Sequence, residues 1–336
     1  MHELCYEKNS ELDEDNPRCK FKGRDVFLGD QVKDQDGNVA LFRDLSSVPA
    51  TMAASKFADF HGCLPGHDIQ TADVTSAYLQ AFLKSPSPTW VELPKHRWPS
   101  HWHGKYYRPV VPLLMALYGH PEAGGYWEQH CEEQVLEAGF SLACEEWPGC
   151  YWHEELKCFL VVYVDDMKMS GPKANLAEAW TRLRKNLKMD DPEPSGRYLG
   201  CEHEIKKVSV DGKSYTTMTY NMEEFLDSCL AKYTEVAGGN VKFKHVPTPF
   251  LDDFVKKGPC APSGDGIWHE RPWCCGRFSA EEFKVGQGKS CKDQSAERPA
   301  TPEVTDRGEL ANDASSVLMK VLYGARMARF DLLRAV

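Results

Sequence analysis

Two neighbouring aspartates interrupt the most hydrophobic stretch of the chain and constrain its fold strongly. Residues 158–169 read CFLVVYVDDMKM, so Asp165 and Asp166 lie inside a β-branched and aromatic run. Aspartate is depleted from strands and is rarely buried without a partner. The pattern therefore predicts a β-hairpin with both acids at or next to its turn. A turn lets both carboxylates lie at one edge of a sheet, where they attract divalent cations.

A third acid, Asp73, lies upstream in a similar strand-forming setting. One acid followed much later by a hairpin pair is the arrangement of a two-metal nucleotidyl-transfer site, in which two Mg²⁺ ions about 3.5–4 Å apart hold the attacking and leaving oxygens. Asp73 and Asp165 are then the bridging ligands, and Asp166 is a weaker ligand or an electrostatic support. Three close carboxylates should titrate together at raised pKa values without metal. The alternative is that Asp73 is a helix N-cap and the pair is a solvated turn.

Composition limits the class of protein. The chain has 336 residues, 42% of them hydrophobic, which is enough for one large or two ordinary globular domains. No apolar run approaches the ~18 residues of a membrane span, and no signal sequence is visible, so we expect a soluble intracellular protein of the cytoplasm or nucleus with reduced cysteines. The net charge of −10 argues against strong non-specific nucleic-acid binding, although residues 18–24 and 182–188 are locally basic.

The order of predicted elements describes an α+β fold, an antiparallel sheet with helices on one face. Residues 1–17 are acidic and predict a disordered arm, and residues 251–310, rich in Pro, Gly, Lys, Asp and Ser, predict a poorly ordered connector. Periodicity predicts a hairpin or two within 21–40, helices over 48–60, 76–83, 124–139, 174–187, 222–234 and 316–336, two strands in 140–169, and further strands ending near 74 and over 90–94, 198–204 and 215–219.

Several segments, taken together, resemble one family. Tyr-Val-Asp-Asp at residues 163–166 resembles the Tyr-x-Asp-Asp box of reverse transcriptases, and residues 73–78 resemble their first acid motif. Residues 113–127, LLMALYGHPEAGGYW, are similar to a segment of copia-type retrotransposon reverse transcriptases. Further similar segments follow in the family's order: residues 198–202, residues 246–249 and a degraded copy at residues 318–331. One four-residue box is a weak signal, whereas this ordered set is a strong one.

The resemblance implies a right-handed polymerase, with fingers, palm and part of the thumb over residues 18–250 and a terminal helix, residues 311–336, left from the segment that precedes ribonuclease H. It implies an RNA-directed DNA polymerase that joins deoxynucleoside triphosphates to a primer 3′-hydroxyl. The expected cofactors are two Mg²⁺ or Mn²⁺ ions, and the expected partners are an RNA template and a DNA primer, with no membrane. We also expect ribonuclease H and integrase segments of a parent polyprotein outside this sequence.

The resemblance also assigns residues to roles. The metal ligands are the carboxylates of Asp73, Asp165 and Asp166 and the backbone carbonyl of Val74. The nucleotide-binding residues are Lys22, Arg24, Thr75, Ser76, Ala77, Tyr78 and Glu122, and the primer-contacting residues are Tyr198, Leu199 and Gly200. Tyr78 corresponds to an aromatic gate that excludes the ribose 2′-hydroxyl. Without the resemblance, Tyr78 is a core aromatic, Lys22 and Arg24 belong to a solvated strand, and residues 198–200 are an ordinary buried strand.

The sequence departs from the family at several positions. Glu122 replaces a Gln near the nucleotide, and Pro121, Gly124 and Gly125 replace Lys, Pro and Arg, which removes two positive charges. These changes support a second hypothesis, a catalytically impaired remnant that keeps the polymerase fold and binds nucleic acid weakly. A third hypothesis, a metal-dependent phosphoesterase, explains the acids but neither Tyr78 nor the ordered motifs.

Overall fold

The computed structural model describes residues 1–8, 20–43, 49–243, 310, 313–333 and 336. They form two compact units, Met1–Asn221 and Met222–Val336, so the boundary falls inside the predicted 18–250 segment. Apart from residue 310, the predicted connector lies outside the described residues, as does the motif at residues 246–249.

The described residues contain five α-helices and thirteen β-strands. The helices are α1 (Met52–Gly62), α2 (Ala123–Glu137), α3 (Lys173–Leu183), α4 (Glu223–Val236) and α5 (Ala314–Met327). The strands are β1 (His2–Lys8), β2 (Lys20–Val26), β3 (His67–Asp73), β4 (Trp90–Glu92), β5 (Val110–Pro112), β6 (Ser141–Leu142), β7 (Cys150–His153), β8 (Cys158–Tyr163), β9 (Asp166–Pro172), β10 (Glu193–Pro194), β11 (Arg197–Tyr198), β12 (Cys201–Val210) and β13 (Lys213–Asn221).

A six-stranded antiparallel sheet forms the centre of the first unit. Its strand order is β10-β3-β9-β8-β7-β6, so the two acid-bearing strands, β3 and β9, are neighbours. The first five residues of β8 are all buried, which explains why residues 158–162 are continuously apolar rather than alternating. Such a run is typical of a strand whose two faces are both covered. The α+β class with an antiparallel sheet is therefore confirmed.

Helices cover both faces of this sheet, so the prediction of helices on one face is wrong. Helix α1 packs through Ala54 and Ala58 against Phe159 and Val161 on one face. Helices α2 and α3 pack against the opposite face, where the alternate residues of β8 and β9 point. The prediction failed because alanine-rich α1 has small side chains that fit closely on the sheet, a packing role that periodicity alone does not reveal.

Four local predictions need correction. Residues 2–8 of the expected disordered arm form β1, which pairs with β2. The helix expected over residues 76–83 is only a 3₁₀ turn, Ala77–Gln80, because Ser76 adopts a left-handed φ of 51° and Ala81 is extended. Residues 140–169 contain β6, β7, β8 and the start of β9 rather than two strands. The strand expected over residues 198–204 is broken by a turn between β11 and β12.

The second unit contains α4 and α5. Phe225 of α4 and Tyr323 of α5 meet edge to face, with ring centroids 5.3 Å apart. A side chain at Gly324 would approach Leu226 to 3.2 Å, so the absence of a β-carbon allows the two helices to pack closely. The terminal helix predicted over residues 316–336 is thus present as Ala314–Met327, followed by a 3₁₀ turn over Phe330–Leu332.

Two findings concern the described residues as a set. None of their helices is long and apolar enough to cross a membrane. All the cysteines among them are free thiols, as the sequence predicts.

Candidate active site

The pairing of β3 with β9 brings the acids together. Asp73 and Asp166 are direct cross-strand partners at the ends of these strands. Directly opposed residues point to the same face, with β-carbons about 4.5–5.5 Å apart. Tyr163 pairs with Asp166, so Val164 and Asp165 form the two-residue turn between β8 and β9. The predicted convergence of Asp73 with the Asp-Asp hairpin is therefore present.

The turn itself is strained and is held from two sides. Val164 has a φ of 58°, which is a genuine outlier for a β-branched residue and costs on the order of 1–3 kcal/mol. Trp127 Nε1 donates a hydrogen bond of 2.9 Å to the Val164 carbonyl. The N–H of Val74 donates to the carbonyl of Asp165 at 2.7 Å. These two bonds fix the turn that carries Asp165.

The three acids form an uncompensated negative cluster. Burial raises the pKa of Asp166 to about 7, and the charges of Asp73 and Asp165 and a hydrogen bond with the Asp73 side chain add to the rise. The Asp73 side chain is exposed, whereas Asp165 and Asp166 are half-buried. Both burial and the like charges favour the protonated form of Asp166, so the cluster favours binding of a cation.

The carboxylates fit a metal that needs few protein ligands. Among the described residues, no group of three or more His, Cys, Asp or Glu side chains is arranged to hold a metal ion. The arrangement is instead a contacting carboxyl pair, Asp73 and Asp166, with Asp165 within electrostatic range. Mg²⁺ is commonly bound by one or two carboxylates plus waters and substrate phosphates, and the pair suits that mode.

Two tyrosines and an arginine lie beside the acids. The Tyr78 and Tyr118 rings are in contact, with centroids 4.7 Å apart and planes tilted by 49°, and the Arg24 guanidinium lies 5.3 Å from the centroid of Tyr118. Burial raises the pKa of both phenols, and the nearby charge of Asp165 raises it further. Arg24 and Tyr78 are thus brought next to the acid cluster. Lys22 is exposed and lies on the same face of β2 as Arg24, because residues two apart in a strand share a face.

The segment after Asp73 has mixed surroundings. Thr75 is exposed, and its hydroxyl donates to Asp190 Oδ1 at 3.3 Å. Ser76 is exposed, whereas Ala77 is buried, so the Ala77 side chain belongs to the core. Gln80 Nε2 donates 2.8 Å to the Thr75 carbonyl and 2.9 Å to that of Lys188. Gln80 thus connects the loop after Asp73 to the segment that precedes β10, a role that no sequence motif indicates.

Glu122 is buried and paired with Arg43, which corrects its prediction as a nucleotide-binding residue. Its side chain is 1% exposed at the start of α2, and its Oε1 accepts hydrogen bonds from the backbone N–H of Arg43 at 3.0 Å and from Arg43 Nε at 3.3 Å. Burial opposes ionisation, but hydrogen bonds from Arg43 and Ser85 and the Arg43 charge lower the pKa of Glu122. Its negative charge is therefore neutralised inside the protein.

The predicted primer-contacting residues separate into two environments. Tyr198 is 4% exposed, and the Lys168 ammonium lies 4.1 Å from its ring centroid, so its side chain belongs to the interior rather than to a contact surface. Leu199 and Gly200 form the turn between β11 and β12 with φ values of 48° and 78°. Positive φ at both central residues is the requirement of a type I′ hairpin turn. Of the three predicted primer-contacting residues, only Leu199 and Gly200 are partly exposed.

Two site residues lacked a predicted role. Tyr118 and Trp127 both lie in the segment of residues 113–127 that carries the family resemblance. The sequence does not indicate that the Tyr118 ring contacts Tyr78 or that Trp127 donates a hydrogen bond to the Val164 carbonyl.

Comparison with known proteins adds no family assignment. No model of a protein family matches the sequence, and no curated protein matches it. Any functional conclusion therefore depends on the motifs and on the geometry of the acid cluster.

Proposed function

We propose that the chain is the RNA-directed DNA polymerase domain of a copia-type retrotransposon, with right-handed polymerase architecture. The observation that supports this most strongly is the direct pairing of Asp73 with Asp166 beside the turn that carries Asp165. The sequence pattern of one acid followed by a hairpin pair predicts this contact. An ordinary acidic turn gives no reason for a third acid from a distant strand to meet it.

In this proposal the acids hold the catalytic cations. The contacting pair Asp73 and Asp166 would hold the cations, and the family resemblance adds Asp165 and the carbonyl of Val74 as ligands. Mg²⁺ or Mn²⁺ bound there would activate the primer 3′-hydroxyl and neutralise charge on the triphosphate. The raised pKa of Asp166 supports the assignment, because perturbed carboxylates concentrate at functional sites. The strained turn at Val164 supports it as well, because backbone strain persists where the surroundings impose it.

The residues beside the acids receive the nucleotide in this proposal. Arg24 and Lys22 contribute positive charge that suits a triphosphate. The Tyr78 ring is held by its contact with the Tyr118 ring, and in this proposal it clashes with a 2′-hydroxyl. Thr75 and Ser76, which lie between Asp73 and Tyr78 in the sequence, are exposed. Replacement of Tyr78 by Ala should then reduce the preference for deoxynucleotides over ribonucleotides.

Primer extension on an RNA template tests the proposal. The wild-type protein with Mg²⁺ or Mn²⁺ should extend a DNA primer, and Asp165→Asn should lower the rate by about a hundredfold or more, because even outer-shell partners of metal ligands are worth 10- to 100-fold. Asp211→Asn is the control for the same substitution at another hairpin turn, because Asp211 lies in the turn between β12 and β13, where it is exposed. Equal rates for Asp165→Asn and wild type would refute the proposal.

The remnant hypothesis makes the opposite prediction in the same assay. It expects a folded protein that shows no template-dependent extension with either metal. One argument for the remnant hypothesis is weakened, because the Glu122 charge is paired with Arg43. The loss of two positive charges near residues 121–125 still favours it. Metal-dependent hydrolysis without synthesis would instead favour a phosphoesterase.

A further inference from the structure

The loop between β4 and β5 has a composition unlike the rest of the chain. Residues 95–108 contain two lysines, two arginines, three histidines, two tryptophans and two tyrosines, but no Asp or Glu. The whole chain carries a net charge of −10. We call residues 95–108 the basic aromatic loop. An acidic protein that concentrates positive charge and aromatic rings in one segment has a local surface suited to a negatively charged partner.

The loop is organised by its own contacts. Trp98 Nε1 donates a hydrogen bond of 2.9 Å to the Leu93 carbonyl, and the Trp98 and His103 rings have centroids 5.7 Å apart. Trp102 meets Tyr106 edge to face with centroids 6.0 Å apart. These contacts fix the backbone of the loop. They also make its outward-facing rings a preformed surface rather than a collapsed cluster.

Two of its rings face solvent beside a cleft. Tyr107 is 91% exposed and Tyr106 is 49% exposed. Both line an open cleft of about 600 Å³ whose other lining residues are Met1, Glu92, Leu93, Pro94, Lys95, Trp98 and Gly104. The Glu92 carboxylate in this lining is paired with Arg108. Single exposed aromatics are ordinary, but two consecutive exposed tyrosines on a cleft offer ring faces with polar hydroxyl edges, and we call Tyr106 and Tyr107 the tyrosine platform.

Part of the positive charge of the loop is uncompensated. Arg97 is paired with Glu3 at 2.8 Å, and Arg108 with Glu92 at 2.6 Å. Lys95 and Lys105 are exposed, and neither makes an ion pair with the part of the chain that the structure describes. Lys105 Nζ lies 5.6 Å from the Tyr106 ring centroid. Two unpaired ammonium groups therefore flank the tyrosine platform.

We propose that the basic aromatic loop is a binding surface for single-stranded nucleic acid. Bases stack on Tyr106 and Tyr107, while Lys95 and Lys105 contact the phosphate backbone. Stacking platforms combined with positive charge are the general means by which proteins hold unpaired strands without reading sequence. A duplex does not offer open base faces, and an acidic peptide offers charge but no bases. RNA and DNA share the recognised chemistry. The surface uses none of the proposed catalytic residues, so it does not depend on polymerase activity.

Fluorescence anisotropy with labelled single-stranded 20-mers of RNA and of DNA tests this. The full chain carries Asp165→Asn, and EDTA is present, so catalysis and metal binding do not contribute. Tyr106→Ala/Tyr107→Ala should weaken binding by about tenfold or more. Lys95→Gln/Lys105→Gln should reduce the slope of log affinity against log salt by about 1.4, which is ~0.7 for each lost phosphate contact. Tyr107→Ala alone, at a fully solvated side chain, keeps the test interpretable if the double tyrosine variant does not fold.

The matched control is Lys213→Gln/Tyr215→Ala, which removes the same residue types from exposed positions on β13. It should bind like the parent protein. The proposal is overturned if the parent protein binds neither oligonucleotide, if the loop variants bind as well as the parent, or if the β13 control loses as much affinity. Stronger competition by duplex DNA or by poly-glutamate than by unlabelled single strands also overturns it, since each identifies a different partner. The wild-type extension assay is separate, so either proposal can fail alone.

Discussion

Asp166 and Lys168 lie two residues apart on the same face of β9, yet their charges have opposite surroundings. Lys168 is completely buried, and its Nζ lies 2.9 Å from Asp59 Oδ1 and 3.0 Å from Ser55 Oγ. Asp59 Oδ2 in turn accepts a 3.0 Å hydrogen bond from the Tyr220 hydroxyl. Asp166 instead faces two further acids, and no cation among the described residues makes an ion pair with it.

The difference separates a structural charge from a functional one. Burial opposes ionisation of Asp59, but hydrogen bonds and the charges of His203 and Lys168 lower its pKa. The pKa of Asp166 moves in the other direction, because burial and like charges both favour its protonated form. The buried charge of Lys168 is thus neutralised by Asp59, whereas the acid cluster at Asp166, two residues away on β9, has no neutralising cation among the described residues. We infer that the cluster is completed by a cation from outside the chain.

The largest expected effect on stability is at Lys168, whose charge is paired with Asp59. Lys168→Met should lower the free energy of unfolding by about 3–5 kcal/mol, because it leaves Asp59 buried without its cation. Guanidinium chloride denaturation measures the loss. The double variant Lys168→Met/Asp59→Leu should recover most of the stability, since buried ion pairs can be replaced by apolar residues of similar size. A single variant within about 0.5 kcal/mol of wild type would show that the ion pair does not distinguish the two positions.

These two positions also show what the sequence could predict. The convergence of Asp73 with the hairpin acids followed from strand and turn patterns, because each acid marks the end of a strand. The Lys168–Asp59 pair joins residues 109 apart, and Lys168 in the alternating Met-Lys-Met segment has the pattern of a solvated side chain. Glu122 was misassigned for the same reason, because its partner Arg43 is 79 residues away. Long-range ion pairs leave no local signal, so burial of these charges was not predictable.

At Asp166, which faces two further acids, removal of the negative charge should stabilise the metal-free protein. The folded protein keeps the Asp166 proton up to about pH 7, whereas an unfolded chain releases it near pH 4. Between these values the folded state binds more protons, so the stability contributed by this group falls as pH rises from about 4 to 7. Asp166→Asn should therefore raise the free energy of unfolding by about 1–2 kcal/mol at pH 8 in EDTA, allowing for coupling among the acids.

A pH series of denaturation curves checks the sign. The difference between Asp166→Asn and wild type should grow from pH 4 to pH 7 and then level off. Asp211→Asn, at an exposed turn, should show no such growth. A variant that is less stable than wild type at pH 8 would mean that Asp166 is compensated after all, and the contrast with Lys168 would be lost.

Added Mg²⁺ should stabilise the wild-type protein by about 1.4 kcal/mol at ten times its dissociation constant. The stabilisation should be larger at pH 8 than at pH 6, because the cation competes with the proton on the Asp73–Asp166 pair. Thermal unfolding with and without Mg²⁺ measures it, and Asp165→Asn/Asp166→Asn should respond much less. An equal Mg²⁺ effect in that double variant would locate cation binding elsewhere and remove the inference that the acid cluster is completed by metal.

The smallest expected effect on stability concerns the hydrogen bond that holds the Val164 turn beside the acid cluster. Two tryptophans of the chain allow a matched comparison. Trp127 and Trp180 are both almost fully buried in the same core cluster. Trp127 Nε1 donates to the Val164 carbonyl, whereas Trp180 Nε1 has no hydrogen-bond partner among the described residues. Changing either residue to Phe removes similar volume, but only Trp127→Phe removes a hydrogen bond. Denaturation curves should therefore show Trp127→Phe to be more destabilising by about 1 kcal/mol. Equal losses would mean that packing alone maintains the strained Val164 turn.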